Sequence, residues 1–112
     1  MIPTEIILEQ AENRLVIRFE HNPDFVYSAE YLRVYSPSAE VRGHGVGHAI
    51  LQRHKDKVRI ESIEAVGYYA LKIIFNDGHD SGLYTWDYLY DLGLNQAQHW
   101  ADYQARVAAA DQ

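Results

Sequence analysis

The sequence predicts an α+β domain: small antiparallel sheet elements with short helices, in a strand–strand–strand–helix plan that occurs twice, and one further helix at the C-terminus. Three observations carry this expectation. Apolar residues alternate in Leu15-Val16-Ile17-Arg18-Phe19 and recur in Leu71-Lys72-Ile73-Ile74-Phe75, the period of a half-buried strand. Ser28 and Thr85 each precede a run with helical apolar spacing, where a hydroxyl can accept a free backbone N–H. Asn76-Asp77-Gly78 is a tight-turn signal. The two halves overlie one another with a single-residue slip, Ser28-Ala29-Glu30-Tyr31-Leu32 falling on Thr85-Trp86-Asp87-Tyr88-Leu89. Two unrelated hairpins of ordinary composition are the alternative reading.

The elements follow in order. Residues 4–9 pair with 15–19 through the polar turn Gln10 to Asn13, and His21-Asn22-Pro23-Asp24 is a loop because Pro and Asn/Asp favour turns. Phe25-Val26-Tyr27 returns as a short third strand. Ser28 caps a helix, Glu30 in its first turn complements the dipole, and the helix stops before Pro37. Residues 58–65 and 69–75 form strands joined at Gly67, and 80–84 returns as the last strand. Thr85 caps a helix holding Trp86, Tyr88, Leu89 and Leu92, with Gly93 as its stop. Asn95 and Gln98 read as a capping-box-like pair, after which Trp100, Tyr103 and Val107 share one helical face. The alternating strand residues and Trp86 are the expected core. The boundaries expected are a domain over 1–94 and a helical extension over 95–112.

Composition excludes several functions. A chain of 112 residues is one domain by length. Its formal charge of −6 opposes binding to nucleic acid, and the only basic run, Arg53-His54-Lys55-Asp56-Lys57, is interrupted by an acid. With no cysteine there is no disulfide, no thiolate zinc site and no thiol chemistry. The first residues lack a secretion signal, and no stretch has the ~20 apolar residues of a membrane helix, so a cytoplasmic protein is expected.

Two segments carry a family likeness: Tyr31-Leu32-Arg33-Val34-Tyr35-Ser36-Pro37-Ser38-Ala39-Glu40-Val41-Arg42-Gly43-His44-Gly45, and Phe75-Asn76-Asp77-Gly78-His79-Asp80-Ser81-Gly82-Leu83-Tyr84-Thr85-Trp86-Asp87-Tyr88-Leu89. Together they resemble the small N-terminal domain of gamma-butyrobetaine hydroxylase and trimethyllysine hydroxylase, a domain that also occurs alone in bacteria. The resemblance covers nearly the whole chain, roughly 4–93. In those enzymes the iron- and oxoglutarate-dependent chemistry sits in a second, larger domain, so the resemblance implies a module without that activity. It also implies a structural zinc held by a histidine and three cysteines. The histidine matches His79, but the cysteine positions fall on Ser36, Ser38 and Val41. The expectation is therefore that hydrogen bonds and packing stand in for the metal, with His79 a hydrogen-bonded turn residue.

Arg42-Gly43-His44-Gly45-Val46-Gly47-His48 is the second candidate. Its glycines permit positive φ, and successive N–H groups could form an anion nest. It lacks the Gly-Lys-Ser/Thr of a P-loop. The alternative is a linker between the halves. A nitrogen/oxygen site for zinc or iron, combining His44, His48 and His79 with Asp77, Asp80 or Glu40, is a further alternative. Nucleophilic catalysis has little support, since neither Ser36 nor Ser81 lies in a Gly-x-Ser-x-Gly turn.

The function expected is a non-catalytic accessory or protein-interaction module with no resident cofactor and an unidentified protein partner. Arg42, Gly43, His44, Gly45, His48, Asp77 and His79 are its candidate contact residues. The alternative, which the resemblance motivates, is a metal-binding factor linked to iron–sulfur assembly or to iron/oxoglutarate-dependent enzymes. Oligomeric state is left open.

Overall fold

The computed structural model of the protein describes residues 1–42 and 50–111. Pro3–Glu9 (β1), Arg14–Phe19 (β2) and Phe25–Ser28 (β3) form one three-stranded antiparallel sheet; Ile60–Val66 (β4), Ala70–Phe75 (β5) and Leu83–Thr85 (β6) form another. Ala29–Val34 (α1) follows the first sheet, and Ala39–Arg42 (α2) is a short turn of helix beyond it. Trp86–Leu94 (α3) follows the second sheet, and Gln96–Ala110 (α4) comes last. The α+β class and the doubled plan are as the sequence predicts.

Alternation in the central strands builds the core. Leu15, Ile17 and Phe19 from β2 and Leu71, Ile73 and Phe75 from β5 are all buried, joined by Tyr27, Leu32, Leu89 and Leu92. Trp86 is half-buried and packs against the same cluster. Tyr90, from the aromatic-rich start of α3, meets the Phe19 ring edge-on at 5.3 Å between centroids. That cluster is core rather than a ligand platform. Both predicted caps form: the Ser28 hydroxyl accepts from the Tyr31 N–H at 3.1 Å, and Thr85 accepts from the Tyr88 N–H at 3.2 Å.

The two halves are locked by a reciprocal exchange of tyrosine hydroxyls. Tyr27 donates to the Leu89 carbonyl, while its counterpart Tyr84 donates to that of Leu32, at 2.7 and 2.6 Å. Tyr31 donates to the Leu92 carbonyl, and its counterpart Tyr88 to that of Tyr35, at 2.7 and 2.6 Å. Leu32, Tyr35 and Leu92 lie in the last turns of α1 and α3, where intrahelical donors run out. The strand registers repeat as well, Leu15 facing Tyr27 and Leu71 facing Tyr84. This repetition in bonding favours the pseudo-repeat over two unrelated hairpins.

Some boundaries differ from expectation. β4 begins at Ile60 rather than 58, because the Asn13 amide fills the ladder position: it donates to the Val58 carbonyl at 2.8 Å and accepts from the Ile60 N–H at 2.9 Å. β6 begins at Leu83 rather than 80, since residues 80–82 are drawn into the loop beyond His79. α3 runs through Gly93 to Leu94. Gly93 is there for space, since a Cβ would strike the Phe25 ring and approach the Tyr27 hydroxyl to 2.8 Å. Asn95 makes no side-chain cap for α4; its amide instead donates to Asp91 on α3 at 2.8 Å. The Trp100, Tyr103 and Val107 face packs inward, with Tyr103 buried and Trp100 edge-on to Tyr31.

Candidate functional site

The Asn76-Asp77-Gly78 turn places the candidate site. Gly78 sits at φ +87°, a region open to glycine, and its N–H donates to the Phe75 carbonyl at 3.2 Å. The Phe75 N–H in turn donates to the His79 carbonyl at 3.0 Å, which folds His79 back beneath the first half of the chain. There the residue is only 6% exposed.

Asp77 is the hub on one side of this turn. Arg33 on α1, itself buried, donates Nε to Asp77 Oδ2 at 2.8 Å, and Lys55 Nζ reaches the same oxygen at 3.1 Å. The His79 N–H donates to Asp77 Oδ1 at 3.2 Å, and Arg33 also donates to the Gln52 side-chain oxygen at 3.1 Å. Burial alone would raise the Asp77 pKa, but the bonds from Arg33, Lys55 and the His79 amide outweigh it and hold the carboxyl at about 2.

His79 occupies the other side. Its Nε2 lies 2.7 Å from Ser36 Oγ and 3.4 Å from Ser38 Oγ, and its Nδ1 lies 3.3 Å from Glu40 Oε2. Burial, and then the nearby Arg33 charge, push its pKa below the ordinary histidine value, so the neutral ring is favoured. Glu40 can only accept, so the ring donates from Nδ1 and accepts the Ser36 hydroxyl proton at Nε2. Serine, histidine and carboxylate thus stand in the order of a catalytic triad, which sequence reasoning missed because no nucleophile-turn motif marks it. The surroundings differ from those of a nucleophile. Ser36 is 1% exposed, and a Cβ on Gly82 would come within 2.5 Å of its oxygen, so the loop leading into β6 closes tightly over it. Glu40 is 71% exposed, leaving the third member of the set solvated.

The donor set does not fit the zinc site that the family resemblance implies. Around His79 stand two hydroxyls, and the isopropyl side chain of Val41 has no donor atom. Among the described residues no group of three or more His, Cys, Asp or Glu could hold a metal ion. Gly43, His44, Gly45 and His48 lie outside the described residues. Of the remaining candidates, Asp77 and His79 are brought together, and Arg42 lines a pocket with Ser36, its guanidinium 5.0 Å from the centre of the Tyr88 ring. Sequence reasoning missed Arg33, Gln52 and Lys55, which reach Asp77 or its partner from 19 to 44 residues away in the chain. No local motif marks them. The helix α2 was missed as well, although Ser38 before Ala39-Glu40 has the sequence form of an N-cap.

The family model described as gamma-butyrobetaine hydroxylase-like, N-terminal, matches residues 6–90. The chain belongs to that family. Two proteins solved by NMR in solution are similar to this family member. One is 49% identical, with a TM-score of 0.86 over 99% of this chain and 87% of that one. The other is 48% identical, with a TM-score of 0.81 over 99% of this chain and 83% of that one. A crystal structure of a protein of unknown function from Acidithiobacillus ferrooxidans, of the DUF971 family, is 28% identical, with a TM-score of 0.67 over 81% of this chain and 91% of that one. No curated protein matches this family member. No helix among the described residues is long and apolar enough to cross a membrane.

Proposed function

We propose that this chain is a non-catalytic interaction module that docks a protein partner. The observation that carries the reading is an exposed aromatic and aliphatic face at the β4–β5 hairpin. Tyr68 is 94% exposed, Tyr69 56% and Ile2 71%, and with Met1 and Trp86 they border an open groove of about 320 Å³. Large apolar groups gathered in one place on a small domain mark contact sites more often than isolated ones do. The groove has a firm floor: Trp86 donates its indole N–H to the Tyr68 carbonyl at 2.7 Å, and its backbone N–H to the Tyr69 carbonyl at 3.2 Å.

The closed condition of the His79 turn supports the non-catalytic part of the reading. Ser36, His79, Asp77 and Arg33 direct their hydrogen bonds at one another. A serine-directed fluorophosphonate probe is expected to leave Ser36 unlabelled; stoichiometric labelling, abolished in a His79→Gln variant that remains folded, would replace this reading with a hydrolase.

The docking test is a pull-down with wild type and a Tyr68→Ser/Tyr69→Ser variant, after both give dispersed amide spectra. Loss of a specific partner by the variant is expected. Retention of every specific partner would remove the hairpin face as the contact.

A further inference from the structure

We propose that the pocket between α2, α4 and the start of α3 is a binding site for a compact oxyanion, a carboxylate or phosphate group held between Arg42 and Arg106. It rests on observations separate from the hairpin face.

The pocket is small, about 100 Å³, and its walls come from well-separated parts of the chain: Tyr35 and Ser36 after α1, Arg42 on α2, Gln52, Tyr88 on α3 and Arg106 on α4. Arg14, Arg18, Arg33 and Arg53 each meet a carboxylate, and Arg59 donates to the Gln10 carbonyl. Arg42 and Arg106 meet no carboxylate within ion-pair distance among the described residues, although the chain as a whole is acidic at −6. Both guanidinium-bearing residues thus line one recess of a chain that is acidic overall. Planar guanidinium forks suit carboxylate and phosphate oxygens better than a lysine point charge does.

The frame is rigid where it needs to be. The Arg42 guanidinium lies over the Tyr88 ring, 5.0 Å from its centre, a cation–π contact that holds it beside the pocket. Tyr88 is anchored by donating to the Tyr35 carbonyl at 2.6 Å, and Tyr35 by donating to the His99 carbonyl at 2.5 Å. Ser36 is held from behind by His79. The apolar wall of Val34 and Val41 lowers the local dielectric and strengthens the attraction for an anion.

The test is amide and arginine side-chain NMR of the whole chain, titrated separately with inorganic phosphate, succinate and, as the ionic-strength control, sodium chloride. Saturable shifts at Tyr35, Gln52 and Tyr88 and at the Arg42 and Arg106 Nε–H signals are expected from phosphate or succinate and not from chloride. The stronger of the two identifies the oxyanion. Arg42→Gln and Arg106→Gln, both at exposed side chains, are each expected to weaken binding at least tenfold while the remaining spectrum stays in place; Lys57→Gln is expected to leave it unchanged. Shifts that rise linearly with all three salts, or that persist in the Arg42→Gln/Arg106→Gln double variant, would overturn the site.

Discussion

At the scale of single residues, the His79 turn couples two titrations whose effects fall in different pH ranges. The folded state disfavours the His79 imidazolium, so its pKa is lower folded than unfolded. Stability contributed by the neutral ring is present above the unfolded value, about 6.5, and is lost as pH falls through it toward the folded value. Asp77 is shifted down from 3.8 to about 2, so its contribution is present above about 4 and is lost only as pH falls from there toward 2. Urea midpoints measured from about pH 7.5 to 5.5 are therefore expected to fall in wild type and to flatten in His79→Ala; an unchanged slope would show that the ring protonates as freely folded as unfolded. The same residues bear on metal. With hydroxyls at Ser36 and Ser38 and a hydrocarbon at Val41, the fold is expected to keep its melting temperature in excess chelator. A drop of more than a few degrees, restored by zinc, would contradict the hydrogen-bonded account of this turn.

At the scale of elements, glycines separate what the sequence discloses from what it hides. Gly93 lies inside α3, where propensity alone would favour alanine by up to about 1 kcal/mol. A methyl there meets the Phe25 ring and the buried Tyr27 hydroxyl, so Gly93→Ala is expected to cost about 1–3 kcal/mol in chemical denaturation; a gain in stability would mean that β3 yields easily. Phe75→Ala, in the buried face of β5, is expected to cost about 3–5 kcal/mol, and a midpoint near that of wild type would put the strand face in error. The legible features were local ones. Period-two alternation disclosed β2 and β5, and a hydroxyl before an apolar run disclosed both caps, because these signals lie within a few residues of the groups they satisfy. The role of Gly93 was hidden because its reason lies in another strand, and it was read as a helix stop. Asn13 was hidden likewise: it looks like an ordinary turn residue, yet its amide replaces two ladder bonds of a strand far along the chain. At the candidate site, the turn was legible from Asn76-Asp77-Gly78, and His79 from the family resemblance. The Arg33 clamp and the pocket that Arg42 and Arg106 both line arise only when distant elements pack.

At the scale of the whole molecule, the tyrosine exchange makes each half complete the other. Removing one hydroxyl breaks a buried hydrogen bond, so Tyr27→Phe and Tyr84→Phe are each expected to cost about 0.5–3 kcal/mol, the more at Tyr84, whose acceptor Leu32 lies where helical donors run out. Unfolding should then be a single event, with far-UV dichroism and tryptophan fluorescence giving coincident transitions; separate midpoints would show that the halves stand alone. The symmetry reaches further. In an isologous dimer, residue i of one subunit meets residue j of its partner, and j meets i. Tyr27 with Leu89 and Tyr84 with Leu32 obey that rule within one polypeptide. A fragment ending near residue 57 would carry both the donor phenols and the acceptor carbonyls of the exchange, and so a surface complementary to its own copy. Its expected behaviour is self-association that strengthens with concentration, whereas in the intact chain the covalent tether supplies a fixed effective concentration and keeps the second half in the partner's place.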